Sequence, residues 1–178
     1  MPTALYRRSL LLALSVSVTL LASGRAGAAD FDSYEELGVF RDWVAYSGMT
    51  AGQKVCFAES RPQKLDRGVS GRHLRAVRVT VTNRPADRVK GEVVIETGVP
   101  IATGTFADAD IDERNYKLAT EPSGMLWLPT REEAALVAAM RRGITMVTKV
   151  TSGGRSVSDS YSLRGFTAAM RAIDAACG

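Results

Sequence analysis

The densest group of ionisable side chains is the segment DADIDE, which begins at Asp108. Asp108, Asp110 and Asp112 occupy alternate positions and match the first three ligand positions of a calcium-binding loop. The match then fails, because Glu113 replaces the glycine at position six and Ala119 replaces the glutamate at position twelve. Alternate positions of a strand share one face, so we interpret these aspartates as one solvated strand face. A hydrolase that uses them is the rival hypothesis, since carboxylate pairs have no local signature.

His73 is the single histidine, and histidine is the commonest general base near neutral pH. A catalytic base also needs a converging nucleophile and orienting group, and a zinc site needs several ligands. An exposed imidazole at the start of a strand is therefore the simpler interpretation. The sequence has no G-x-S-x-G segment, Walker loop or dinucleotide fingerprint. We predict a protein that is not an enzyme, with no catalytic residue, no metal site and no cofactor.

Two cysteines, Cys56 and Cys177, lie far apart and do not form a C-x-x-C motif. A structural disulfide is therefore favoured over a redox-active pair, and only one intramolecular pairing exists. Phe166, Met170, Ile173 and Cys177 are spaced by four, three and four residues, which places them on one helical face. We predict a Cys56–Cys177 disulfide that fastens a terminal helix to an early strand.

The N-terminal segment predicts export. The basic pair Arg7 and Arg8 precedes an apolar stretch, Leu10–Leu21, and small residues follow around Ala28. This order is that of a secretory signal peptide, which we assign to residues 1–29, and the apolar run is shorter than a membrane span. The sequence leaves two export routes open, the general secretory route and the twin-arginine route. We expect a periplasmic location, with the outer surface or secretion as alternatives, and a disulfide fits these oxidising compartments.

The charge balance excludes one class of partner. Removing the predicted signal peptide removes three arginines, so that 23 basic side chains become 20 against 19 acidic ones. A nucleic-acid-binding protein would need positive charge gathered on one face. We therefore predict no nucleic-acid partner and no membrane-spanning segment after signal removal. Residues 30–178 are expected to form a single domain.

Alternating patterns predict a mainly β fold. In LRAVRVTVT, the three valines face one side while arginine and threonines face the other. Other predicted strands contain Cys56 and the segment GEVVIET, and Gly153-Gly154 marks a hairpin turn. Residues 30–38 are interpreted as an irregular leading segment. Trp43 and Trp127 are interpreted as core residues.

One helix is predicted between Thr130 and Gly143. Thr130 and Glu133 have the T-x-x-E spacing of a capping box, and Gly143 permits the helix to stop. We expect this helix to cover one end of the sheet. With the terminal helix, it completes a β-sandwich with a capping helix and a C-terminal helix.

Basic loops are the best candidates for contact with a partner, because loops carry recognition on rigid scaffolds. The stretch 61–72 contains two glycines and a proline, which predict a loop, and a second turn follows the strand that ends near Pro85. The candidate contact residues are Arg61, Lys64, Arg67, Arg72 and Arg84.

Several segments along the mature chain resemble the invasion associated locus B family of exported bacterial proteins. The segment that ends at Cys177 is the most specific of them. Asn83 stands where many relatives are expected to have a histidine, which argues against a shared catalytic role there. The segments are FRDW (40–43), KVCFAESRP (54–62), VTNRP (81–85), LVAAMRRGITMV (136–147) and DSYSLRGFTAAMRAIDAAC (159–177).

The resemblance implies an immunoglobulin-like antiparallel β-sandwich exported to the cell envelope. In host-associated members it implies a part in the invasion of host cells such as erythrocytes, and it implies no known enzymatic activity. Our leading hypothesis is a binding protein that contacts an unknown protein or cell-envelope component. An envelope-stress or envelope-integrity protein without a discrete ligand is the alternative, beside the carboxylate-dependent hydrolase.

Overall fold

The computed structural model describes residues 33–112 and 114–178, so the predicted signal peptide lies outside the described residues. Ten strands, one 3-10 turn and two α-helices occur in these ranges. In chain order they are β1 (Ser33–Phe40), β2 (Trp43–Thr50), β3 (Gln53–Ser60), β4 (Arg78–Arg84), the 3-10 turn (Pro85–Asp87), β5 (Val89–Glu96), β6 (Phe106–Ile111), β7 (Arg114–Thr120), β8 (Met125–Trp127), α1 (Thr130–Arg142), β9 (Thr145–Ser152), β10 (Arg155–Ser162) and α2 (Phe166–Cys177).

The described strands form one antiparallel sheet in the order β1-β2-β3-β4-β5-β8-β7-β6-β9-β10. Sequence neighbours usually pair directly. The predicted hairpin at Gly153-Gly154 joins β9 to β10, and a turn at Asp112 joins β6 to β7. The two ends of the strand order also meet. The indole Nε1 of Trp43 on β2 donates a hydrogen bond of 2.9 Å to the Ser162 carbonyl oxygen on β10. The sheet therefore folds over one shared core.

The core is built by the predicted alternation. Val79 and Val81 on β4 and Ile95 on β5 are fully buried, while the residues between them are half-exposed. Trp43 is also fully buried and packs on Phe166, with 4.7 Å between ring centroids. The mainly β fold with a capping and a C-terminal helix is confirmed. Trp127 is different, since it is only half-buried.

Helix α2 packs on the first strands through the predicted face. Its buried residues include Phe166, Met170, Ile173 and Cys177, and a disulfide joins Cys177 to Cys56 with 5.9 Å between their Cα atoms. The helix can begin where it does because its N-cap is glycine. Gly165 has a φ of 94°, and a Cβ there would overlap the carbonyl oxygen of the β1 residue beside it.

A polar contact runs beside the disulfide. Asn83 on β4 pairs directly with Cys56 on β3. Its side-chain amide donates to Asp174 of α2 at 3.0 Å, and its oxygen accepts the Gly91 N–H at 2.9 Å. Asn83 thus fixes α2 and the start of β5 to the same strand, which gives it a structural role.

Two local expectations need correction. The leading segment is not irregular throughout, because β1 begins at Ser33 and pairs with β2, with a bulge near Gly38. The N-cap of α1 also lies one residue before the predicted one. Pro129 is the N-cap of α1 and the cap has no side-chain hydrogen bond, while Glu133 accepts the Val93 N–H of β5 at 3.3 Å. The Glu133 side chain therefore makes a tertiary hydrogen bond to β5 instead of the local hydrogen bond that the sequence predicted at the helix start.

Removing the disulfide should destabilise the fold strongly. The Cys56–Cys177 bond closes 121 positions of chain, and in the chain-entropy model such a loop contributes about 5 kcal/mol. We expect the C56S/C177S variant to lose about that much free energy of unfolding in urea titrations monitored by circular dichroism. Adding dithiothreitol should destabilise the parent protein but leave the variant unchanged. Equal stability of the parent protein with and without reductant would contradict this expectation.

Candidate functional site

The buried end of the predicted contact loop is an ion pair. Arg72 is 8% exposed, and its guanidinium binds both carboxylate oxygens of Asp159 on β10. Its Nε also donates to the Thr97 carbonyl oxygen at 2.9 Å. Arg72 therefore does not belong to the exposed contact surface on which the sequence placed it. Paired and hydrogen-bonded in this way, its charge serves to hold the loop.

The surroundings of this ion pair are poorly solvated. Tyr161 lies two residues after Asp159 on β10 and is fully buried. Burial, with a smaller contribution from the Asp159 charge, raises the pKa of the Tyr161 phenol far above its usual range. In such an environment a charge pair is strongly held, and removing one partner leaves an uncompensated charge.

The loop is also fastened by its backbone. The Asp66 N–H donates to Asp159 Oδ1 at 3.0 Å, and Arg72 Nη1 donates to the Asp66 carbonyl oxygen. Lys64 forms an antiparallel bridge with Ser160, whose N–H donates to the Lys64 carbonyl oxygen at 2.9 Å. The loop thus lies along the outer edge of β10 and is preorganised.

Three of the predicted contact residues lie on the outside of this loop. Arg61, Lys64 and Arg67 are all exposed, and Arg61 donates to the Arg75 carbonyl oxygen at 2.7 Å. Arg84 is not part of this group. It lies at the far end of β4, roughly 20 Å along the strand, and pairs with acidic residues of β5 and the 3-10 turn.

A groove of about 530 Å³ adjoins the loop where it leads into β4. Its lining is mostly apolar, and His73, Glu96 and Met125 stand at its edges. His73 is exposed, as the sequence indicated, but it lies in the connection before β4 rather than at the start of a strand. Its backbone N–H donates to the Gly98 carbonyl oxygen at 2.8 Å. Glu96 is paired with Arg78 at 2.8 Å. A mainly apolar concavity with a few polar groups is the usual form of a binding site.

Sequence reasoning missed this groove, although its turns left a signal. Gly98 and Gly124 have φ values of 70° and 92°, and a Cβ at either would overlap a backbone carbonyl oxygen. Only glycine allows the two connections to approach this closely. The segments TGVP and EPSG therefore mark the walls of the groove, but only the fold shows that they meet.

The acidic segment forms a ladder of ion pairs. Asp108 pairs with Lys117 on β7, and Asp110 pairs with Lys149 on β9 at 2.8 Å. The hydrogen bond from Lys117 lowers the pKa of Asp108, and that from Lys149 lowers the pKa of Asp110. Asp112 leaves the strand face and lies in the turn with a φ of 52°. A hydrolytic acid needs a raised pKa, so this arrangement stabilises the sheet rather than supplying one.

Among the described residues, no three histidine, cysteine, aspartate or glutamate side chains are grouped so that they could hold a metal ion. Nor does a helix in these ranges have the length and apolarity to cross a membrane.

The fold and the site define a disulfide-stabilised antiparallel β protein with a fixed basic loop, a type suited to an oxidising compartment. A family model described as invasion associated locus B (IalB) protein matches residues 43–174. The chain belongs to this family, which is one of exported envelope proteins and is not known as enzymatic. Searches of curated proteins and of solved structures find no match.

The Asp159→Asn variant should release the loop. It leaves the buried Arg72 guanidinium without a counter-charge, which typically costs about 3–5 kcal/mol. We expect that loss in urea unfolding, together with faster tryptic cleavage after Lys64 and Arg67 under native conditions. Asp66→Asn is the matched control, because that carboxylate is more exposed, its ion pair with Arg155 is 3.6 Å long, and asparagine keeps an oxygen that can accept the Gly68 N–H, now at 2.8 Å. Similar cleavage rates in both variants would contradict the anchoring role of Asp159.

The aspartate ladder should make stability sensitive to acid. A lowered pKa in the folded state gives stability that is present above the unfolded pKa and is lost as pH falls through the folded one. We expect a carboxyl-carbon NMR titration to find the pKa of Asp108 below 3.8. Lys117→Met should raise it toward that value, whereas Lys54→Met on β3 should leave it unchanged. If neither substitution changes the pKa of Asp108, the hydrogen bond from Lys117 is not the cause of its lowered pKa.

Proposed function

We propose that this protein is an exported, non-enzymatic binding protein of the bacterial cell envelope. It contacts its partner through loop 61–72 and the adjoining groove. The observation that carries the proposal is the buried Arg72–Asp159 pair, which holds the loop before any partner arrives. Preorganisation of this kind lowers the conformational entropy lost on binding, so more of the contact energy appears as affinity.

The chemistry of the surface indicates the kind of partner. Three exposed cations lie on the loop that leads into a mostly apolar groove, so an anionic protein or envelope component with an apolar part fits this surface best. Family membership and the disulfide support a location outside the cytoplasm. The resemblance to invasion-associated proteins extends the proposal to contact with host cells, which requires the protein to reach the outer surface or the medium. Protease accessibility in intact cells tests that requirement.

The two alternatives receive less support. The lowered pKa values of Asp108 and Asp110 do not favour a carboxylate-dependent hydrolase. An envelope-integrity protein without a ligand would gain nothing from a preorganised basic loop. We therefore keep binding as the conclusion.

Neutralising the loop should weaken binding to anionic surfaces. The variant carries Arg61→Gln, Lys64→Gln and Arg67→Gln, and the probes are envelope vesicles of the bacterium and erythrocyte ghosts, tested separately. Exposed charge contacts contribute roughly 0.2–1 kcal/mol each, so we expect about tenfold weaker binding of the oxidised protein in sedimentation assays. The salt dependence of binding should also become smaller.

A matched control removes the same charge from other elements. It replaces three exposed cations on β3, β5 and β7 with glutamine, namely Lys54, Lys90 and Arg114. This control should bind nearly as the parent protein does. Equal losses in the loop variant and the control would show a net-charge effect and reject the loop as the contact site. Absence of binding by the parent protein to either probe would reject the proposed function.

A further inference from the structure

A second groove lies between β5, β8 and the start of α1, and it has the opposite character. Its volume is about 300 Å³, and Met125 separates it from the first groove by lining both. Its lining includes Trp127 and three glutamates, Glu92, Glu121 and Glu133, with no lysine or arginine. Aromatic and acidic groups therefore meet here, and Arg84, which pairs with Glu92, is not among the lining residues.

Trp127 provides a fixed aromatic wall. It is half-buried, unlike the fully buried Trp43, and so keeps part of its indole open. Its strand is paired on both sides, with Val94 of β5 opposite it on one side and Ala119 of β7 on the other. The negative face of an indole attracts cations, and tryptophan is the strongest of the aromatic side chains in this respect.

Glu133 is an independent sign of a missing cation. It is 8% exposed, and its Oε1 accepts one backbone N–H, from Val93 at 3.3 Å. Within residues 33–112 and 114–178, no lysine, arginine or histidine nitrogen lies within 4.0 Å of its carboxylate. Burial raises the pKa of this carboxyl by more than the Val93 N–H and the more distant Arg84 charge lower it. A buried carboxylate of this kind usually has a charged partner.

The other two glutamates differ in what they can offer. Both oxygens of Glu92 are already bound by Arg84, at 2.5 and 3.1 Å. Glu121 makes only a 3.5 Å contact with the Ser123 hydroxyl among the described side chains. The carboxylates of Glu133 and Glu121 are thus available to bind a ligand beside the Trp127 indole. A guanidinium fits this set better than an ammonium, because it is planar, stacks on aromatic rings and donates to carboxylates in a fork.

We propose that this groove binds the side chain of an arginine carried by an extended segment of a protein partner. The guanidinium stacks on Trp127 and donates to Glu133 and Glu121. The site is distinct from loop 61–72, because it is acidic where the loop is basic and it lies between other elements. It goes beyond the proposed function, since its ligand is cationic whereas the partner proposed for the loop is anionic.

The experiment uses the oxidised protein and three capped tripeptides, acetyl-Gly-X-Gly-amide, in which X is arginine, lysine or citrulline. Binding is followed by the shift of the Trp127 indole N–H in two-dimensional NMR, with the Trp43 signal as an internal reference. We expect the arginine peptide to bind at least fivefold more tightly than the lysine peptide. Citrulline has nearly the same shape without the charge, so its peptide should bind at least tenfold more weakly than arginine.

Glu133→Gln should weaken arginine binding at least fivefold. Glu132→Gln is the matched control, because it removes the same charge from the same helical turn, and Glu132 pairs with Arg131 rather than lining the groove. Should Glu133→Gln not fold, Glu121→Gln and the citrulline comparison on the parent protein decide the matter. Equal binding of arginine and citrulline, no shift of the Trp127 signal, or equal losses in the glutamine variants at 132 and 133 would overturn the proposal.

Discussion

The structure depends on the covalent bond between β3 and α2. Cys56 lies on the buried face of β3, and Cys177 ends the last helix, so the bond fastens α2 to the third strand. The hydrogen bond from Asn83 to Asp174 fixes the same helix to the next strand. With α2 held, Phe166 packs against Trp43, and the hydrogen bond of Trp43 to β10 closes the sheet. The strands from which the loops extend are therefore held in fixed positions.

The buried ion pair at the loop is a second constraint, on other elements. Burying two charges is costly and is offset only when the remaining hydrogen-bonding groups find partners. Here Arg72 reaches Asp159, the Thr97 carbonyl and the Asp66 carbonyl, so the cost is met by several contacts at once. These contacts hold the loop in one conformation. That is the property a recognition surface needs, since a loop fixed beforehand loses little entropy on binding.

Local patterns predicted what local physics decides. The alternation of apolar and polar residues predicted β4, and the Gly153-Gly154 pair predicted the turn between β9 and β10. Helical spacing predicted that Cys177 lies on the buried face of α2. The failures share a cause, which is distance along the chain. Arg72 was assigned to an exposed loop because its partner lies 87 residues away, and Glu133 was assigned to a capping box because Val93 lies 40 residues away. Both grooves form between connections that only the fold brings together, so no sequence window contains them.

The overall charge of the chain conceals how its charges are placed. Near balance between acidic and basic residues within residues 30–178 argues against a nucleic-acid-binding protein, yet it says nothing about separation of charge on the surface. The described fold places exposed cations along β10 and carboxylates beside Trp127, on elements that share one cross-linked core. Because both surfaces are fixed by that core, neither needs the other to be occupied before it can act. Reduction of the disulfide should therefore weaken both surfaces together, whereas a side-chain change at one should leave the other intact.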